Sequence, residues 1–280
     1  MTAATGGSEE TRLGGFRRSE IGIGGDEQTA RLAWLLDVQG RQPGVTRLRD
    51  WAFDRLDLRA GETVLDVGSG TGAVVVRLAE TVGPTGSVIG VEPNSAMRDL
   101  ARTRAGDAPG IDFVDGGAEA LPVVDGSVDA VICERVLQHL EDPAAAVAEM
   151  ARVLRPGGRV ALLDSDFGTS ILHPADREVG ERYERGMLAL WPNPYSGRRL
   201  RSLLREAGLD VEPDVGSSAL VVPEEMLPGL LATQGAALVE AGVVTADEVS
   251  ALNREVEAAS GHGDAFVSVT MFAAIGRRPE

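Results

Sequence analysis

The chain has 280 residues, 43% hydrophobic and 25% charged, a balance ordinary for one α/β domain or a core domain with a modest cap. A formal charge of −16 argues against a nucleic-acid partner, which needs a concentrated basic surface. One cysteine, Cys133, excludes an intrachain disulfide, and three scattered histidines (His139, His173, His262) argue against a metal site. No apolar run approaches the roughly 20 residues of a membrane helix. The N-terminus also lacks a secretory signal, so the chain reads as cytoplasmic, with no membrane partner. All 27 basic residues are arginine, which removes lysine from the list of nucleophiles.

Residues 1–25, glycine-rich and polar, are expected to be a flexible N-terminal segment. Helical spacing begins after it, with Leu32, Leu35 and Leu36, then Leu48, Trp51 and Leu56, and Pro43-Gly44 between two helices. From residue 60, short apolar runs at 63–67, 87–91, 112–114, 128–133 and 159–164 alternate with helical stretches at 73–81, 95–104 and 144–154. That alternation is the signature of a parallel sheet. Past Asp166, prolines at 174, 192 and 194 surround a helix over 176–190, and a second helix, 196–207, closes at Gly208. Residues 211–222 and 266–275 fit an antiparallel edge. The stretch between them is helical, with a capping box at Thr245 and Glu248. The expectation is one doubly wound, Rossmann-like α/β domain over 26–280 with a mostly parallel seven-stranded sheet. N-terminal helices and a helical insertion would cap it, over about 26–58, 168–195 and 223–262.

The segment VLDVGSGTG, residues 64–72, runs a buried strand into Gly68, Gly70 and Gly72 and then a helix. Glycines there permit unusual backbone angles and let a ligand approach without Cβ obstruction. Their G-x-G-x-G spacing departs from the G-x-G-x-x-G of dinucleotide sites. Asp66 would repel a pyrophosphate but suits an ammonium group. Glu92, 92−66 = 26 residues further on at the end of the next strand, can accept hydrogen bonds from both ribose hydroxyls. Together they fit adenosine joined to an amino acid. The plain alternative is a turn cap at Asp66 and an exposed strand end at Glu92.

Further pieces follow in order: GVEPNSAM at 90–97, GGAEALP at 116–122, VLQHLED at 136–142 and LRPGGR at 154–159. With them, residues 60–165 resemble the class I S-adenosylmethionine-dependent methyltransferases of the ubiquinone/menaquinone-biosynthesis-like (type 11) branch. The resemblance implies S-adenosylmethionine as cofactor, S-adenosylhomocysteine as product and no metal. It assigns cofactor binding to Asp66, Gly68, Ser69, Gly70, Glu92, Pro93 and Asn94, with Met97 packing on the adenine. Gly117, Ala118 and Glu119 would face the adenine edge, and Glu134 and Arg135 would face the cofactor from the fourth strand. The family usually has Asp where Gly117 stands, so that contact passes here to backbone, Glu119 or water.

Methyl transfer from a sulfonium is an in-line displacement, so alignment carries much of the catalysis. A general base is needed only for a nucleophile of high pKa. His139 is the candidate base, against a packing role in a helix cap. Tyr183 is the second catalytic candidate, although Val179, Tyr183, Met187 and Leu190 also read as a core stripe. Trp34, His173, Trp191 and Tyr195 are expected to bind substrate. Arg31 is a candidate clamp for the methionine carboxylate or a solvated side chain. The expected activity is methylation of a small-molecule acceptor, a bacterial secondary metabolite or a quinone-like compound. A protein acceptor and a non-catalytic S-adenosylmethionine-binding partner subunit are the alternatives, and the protein would be a monomer or homodimer.

Overall fold

The computed structural model describes residues 26–280, with side chains from Thr29. The expected flexible segment, 1–25, lies outside the described residues. Two helices come first, α1 (Asp26–Gly40) and α2 (Pro43–Leu56). Pro43 occupies the first turn of α2, where its missing N–H leaves no bond unmade. A βα alternation follows: β1 (Thr63–Val67), α3 (Ala73–Val82), β2 (Ser87–Val91), α4 (Ser95–Ala105), β3 (Ile111–Val114), β4 (Val128–Glu134), α5 (Pro143–Val153) and β5 (Leu154–His173). Helices α6 (Arg177–Ala189) and α7 (Ser196–Glu206) lead to β6 (Asp210–Val211) and β7 (Gly216–Val221). The described chain then runs through α8 (Leu227–Glu240), α9 (Ala246–Ser260) and β8 (Phe266–Arg277).

The sheet order is β3-β2-β1-β4-β5-β8-β6, with β7 also paired to β8. The first five strands are parallel, and β8 is antiparallel to its neighbours. Eight strands replace the expected seven because the outer edge is split. β6 and β7 lie one after the other along β8, and Pro213 falls in the gap, where it has no N–H to donate.

The fifth strand also outruns its expected end at residue 164. After a register shift between Asp166 and Ile171 it pairs again with β8, as far as His173 opposite Phe266. Residues 168–173 are therefore a strand and not the start of a helical cap, because the long partner β8 supplies a ladder that local sequence does not announce.

Both sheet faces are covered. Val45, Leu48, Ala52 and Leu56 of α2 pack with Val64, Leu220, Ala273 and Ile275, so α2 belongs to the core layer and contributes only Arg49 to the ligand cleft, over which α1 lies. On the other face Val147, Met150, Leu200 and Leu203 meet Val131, Leu162 and Ala274. Helices α6, α8 and α9 build a third cluster of their own around Leu190, Leu227, Leu231, Leu238, Leu252 and Val256. The predicted capping box is present: Thr245 accepts from the Glu248 N–H and Glu248 from the Thr245 N–H, opening α9. Among the described residues, no helix is long and apolar enough to cross a membrane.

Candidate active site

The strand order reverses between β1 and β4, and ligands of doubly wound folds bind at that point, outside the carboxyl ends of the strands. There the glycine turn leaves β1. Gly68 has φ +75°, and a Cβ on it would lie 2.4 Å from the Val136 side chain, so no other residue fits. The turn is tied to the next strand, because the Gly68 and Ser69 N–H groups both donate to the Val91 carbonyl, at 2.8 and 3.1 Å.

Glu92 completes the turn. Its carboxylate accepts the Gly70 N–H at 3.0 Å and the Asn94 N–H at 2.8 Å. Burial pushes its pKa up, opposed by these bonds. Asn94 in turn caps α4 by accepting the Met97 N–H at 3.1 Å, which seats the buried Met97 against the cavity.

Asp66, at the end of β1, is 3% exposed, and its Oδ2 has no hydrogen-bond partner among the described residues. Burial first, then the nearby Glu134 carboxylate, raises its pKa from the ordinary 3.8 to about 8, against the pull of Arg49. Glu134 is buried as well. The Arg49 guanidinium grips it with two donors, both at 2.8 Å, and Arg135 Nε lies 3.3 Å away. Burial alone would raise the Glu134 pKa, but these guanidinium contacts hold it below the carboxylate range. Arg135 adopts φ +57°, a left-handed conformation rare for a side-chain-bearing residue. Its Nη1 donates to Gln39 at 2.8 Å. Helix α1 is fastened a second time where Asp37 accepts two Arg104 bonds (2.8 and 2.7 Å) and the Thr71 hydroxyl (3.1 Å).

Together these groups line one cavity of about 1230 Å³, larger than the roughly 300–1,000 Å³ of a single-ligand pocket. One end is polar, formed by the glycine turn, Asp66 and Glu92. The other is apolar, formed by Phe167, Met187, Trp191, Leu231 and Val269. An unsatisfied buried carboxylate beside an open glycine turn is what an amino-acid-bearing nucleoside needs, so the residues fit S-adenosylmethionine.

Comparison with known proteins agrees. Residues 65–162 match the family model described as a methyltransferase domain. That stretch carries a methyltransferase domain. Over 160 residues it is 40% identical to the uncharacterized 37.1 kDa protein in transposon TN4556 of Streptomyces fradiae, covering 57% of this chain and 46% of that one. Over 125 residues it is 38% identical to the ubiquinone/menaquinone biosynthesis C-methyltransferase UbiE of Hahella chejuensis, covering 43% and 50%. The chain thus spans about half the length of the curated relatives it matches. The YcgJ protein from Bacillus subtilis shares the fold, with a TM-score of 0.58, 21% identity, and coverage of 84% of this chain and 99% of that one.

Within the methyltransferase domain the cavity gathers every residue expected at the cofactor: Asp66, Gly68, Ser69, Gly70, Glu92, Pro93, Asn94, Met97, Gly117, Ala118, Glu119, Glu134 and Arg135. His139 joins them from a short 3-10 turn, Leu137–His139. That turn is held from below by Asp164, which accepts the Gln138 N–H at 3.1 Å. From above Asn193 holds it, donating to the Leu137 and Gln138 carbonyls at 3.2 Å each. The His139 ring lies 5.1 Å from that of Trp191, which stacks on Phe167 at 4.2 Å. Burial, then the Arg135 charge, pushes the His139 pKa down to about 3. Tyr183 also lines the cavity, but its hydroxyl sits 3.3 Å from the Leu231 carbonyl and 3.4 Å from Gln234 Oε1. Burial raises its pKa, so the phenol stays protonated.

Three expected substrate contacts fall outside the cavity. Trp34 is 53% exposed: α1 turns Leu32, Leu35 and Leu36 inward, and at 3.6 residues per turn Trp34, two away from Leu32 and Leu36, points to the far side. His173 is exposed at the end of β5, next to the inward Leu172. Tyr195 lies under the Arg198 guanidinium, 4.7 Å from its ring centre, and Asp166 anchors that arginine away from the cavity. Only Trp191 of the four reaches the wall. Arg31, the candidate clamp, is exposed and does not line the cavity. Arg49, Asp37, Gln39 and Phe167 line it unannounced. Each sits in an ordinary helix or strand pattern, and only its partner across the fold gives it a role. Among the described residues, no group of three or more His, Cys, Asp and Glu is placed to hold a metal ion.

Proposed function

We propose that the protein transfers a methyl group from S-adenosylmethionine to a small, largely apolar acceptor. The observation that carries this reading is the buried, unpartnered Asp66 carboxylate oxygen beside a glycine turn locked to Glu92. When bound, the cofactor supplies an electrophilic methyl on a sulfonium. Glu92 would hold the ribose hydroxyls with the lone pairs that Gly70 and Asn94 leave free, and Asp66 would receive the ammonium group. Met97, Gly117, Ala118 and Glu119 would enclose the adenine. Glu134, neutralised by Arg49 and Arg135, keeps that end of the cavity from accumulating negative charge.

Trp191, Phe167 and Met187 form an apolar wall that excludes water and aligns the acceptor, which is the main demand of an in-line displacement. His139, with a pKa near 3, is a neutral imidazole of low basicity. It suits orientation of an acceptor that is already nucleophilic, such as a neutral amine or an activated carbon, better than deprotonation of an alcohol. A quinone-like acceptor is a second reading, supported by the name of the Hahella chejuensis relative, a C-methyltransferase.

Calorimetry with S-adenosylhomocysteine, followed by a mass-spectrometric screen for products heavier by one methyl, tests the proposal. Failure to bind S-adenosylhomocysteine sinks it.

A further inference from the structure

Helices α6 and α8 and strands β5, β7 and β8 contribute the acceptor half of the cavity, where aliphatic and aromatic side chains alternate with uncharged polar ones, Ser165, Ser170, Gln234 and Ser268. Glu184 is the only charged side chain those five elements supply to it. It lies on α6 one residue from Tyr183 and one turn before Met187, on the inward face of the helix. Burial raises its pKa, and the nearby Leu172 backbone opposes that rise.

Among the described residues, no cation forms an ion pair with this carboxylate. The neighbouring charge it feels is a second acid, Glu181, whose own partner is Arg177. The nearest basic residues along α6 are committed or turned outward: Arg182 pairs with Glu248, and Arg185 is exposed. A half-buried carboxylate on a cavity wall is open to a ligand of opposite charge. Among the described residues the same compartment holds no arginine to pair with an anionic acceptor.

We infer that the acceptor is an apolar molecule carrying a basic amine, which the Glu184 carboxylate pairs with as a cation. The inference rests on the proposed methyl-transfer reading for its site and adds the acceptor's charge class. Glu184 is thus a specificity-determining residue: it selects amines and rejects carboxylates, while Trp191 and Met187 take the hydrocarbon.

The test uses three probes of one shape, 3-phenylpropylamine, 3-phenylpropanol and 3-phenylpropionate. Each is titrated by calorimetry into the full chain with and without saturating S-adenosylhomocysteine. The amine is expected to bind about tenfold more tightly than either other probe, the size of one partly buried ion pair. Glu184→Gln removes the charge and keeps the shape of the wall. It should remove the tenfold preference and leave the alcohol's affinity unchanged. Equal or tighter binding of the carboxylate overturns the inference, as does an amine preference that survives in Glu184→Gln or the failure of all three probes to bind. Loss of S-adenosylhomocysteine binding alone, with the amine preference intact, counts against the methyl-transfer reading and not against the assignment of Glu184.

Discussion

Arg49 and Glu134 meet as a two-pronged ion pair beneath the cofactor end of the cavity, with side chains only 11% and 6% exposed. Helix α2 supplies the arginine and β4 the carboxylate, so the pair joins the N-terminal layer to the sheet. Removing one partner strands the other charge in a poorly hydrated place. Arg49→Met is therefore expected to destabilise the protein by about 3–5 kcal/mol in urea melts. The double variant Arg49→Met/Glu134→Gln should recover most of that loss, because no charge is left unpaired.

Asp66 makes stability depend on pH. Its pKa is raised from 3.8 to about 8, and that of the buried Asp164, again chiefly by burial, to about 7. Between the ordinary and the raised values the folded protein binds more protons than the unfolded chain, so its stability falls as pH rises. His139, lowered to about 3, acts in the opposite sense below its ordinary 6.5. The clean window is therefore pH 6.5 to 8. Melting temperatures should drop across it, and Asp66→Asn should flatten the slope. An unchanged slope in that variant would remove Asp66 as the source.

Glu92 is predicted to govern cofactor affinity. Glu92→Gln replaces one acceptor oxygen by a donor that opposes the Gly70 or Asn94 N–H. Losing a charge-assisted bond of about 1.5–3 kcal/mol corresponds to a roughly 10- to 150-fold weaker Kd for S-adenosylhomocysteine. Circular dichroism should show the helices intact.

Two glycines of the site should respond in opposite ways. Gly68→Ala forces a Cβ onto Val136 at a backbone angle of φ +75°, and is expected to abolish S-adenosylhomocysteine binding. Gly117 has nothing within 4 Å of where its Cβ would stand. Gly117→Asp should fold normally and tighten binding by about 3- to 10-fold, the worth of one added hydrogen bond to the adenine. Calorimetry on both variants checks the pair.

Asn193 ties the cap to the turn that carries His139. Asn193→Ala removes the side-chain donor of the buried Leu137 carbonyl, which keeps the Leu140 N–H at 3.2 Å, a loss of about 0.5–1.5 kcal/mol. Hydrogen exchange should speed up at residues 137–140 while the β1 amides stay protected.

The alternation of strands and helices, the glycine turn and the two acids were legible in the amino-acid sequence because each depends on neighbours within a few residues. A strand buried on both faces, a turn requiring φ > 0 and a capping box are local solutions, and local chemistry names them. The eighth strand, the extension of β5 to His173 and the core position of α2 were not legible, since each is set by a partner far along the chain. The same distance hid Arg49, whose role appears only once Glu134 lies against it, and turned Trp34 outward although its residue type suits a substrate wall. Sequence alone determined the kind of ligand, through the spacing of Gly68, Gly70, Glu92 and Asp66. The tertiary structure decided which side chains line the far end of the cavity, because that end is assembled from β5, α6, α8 and β8, and no short stretch of sequence contains it.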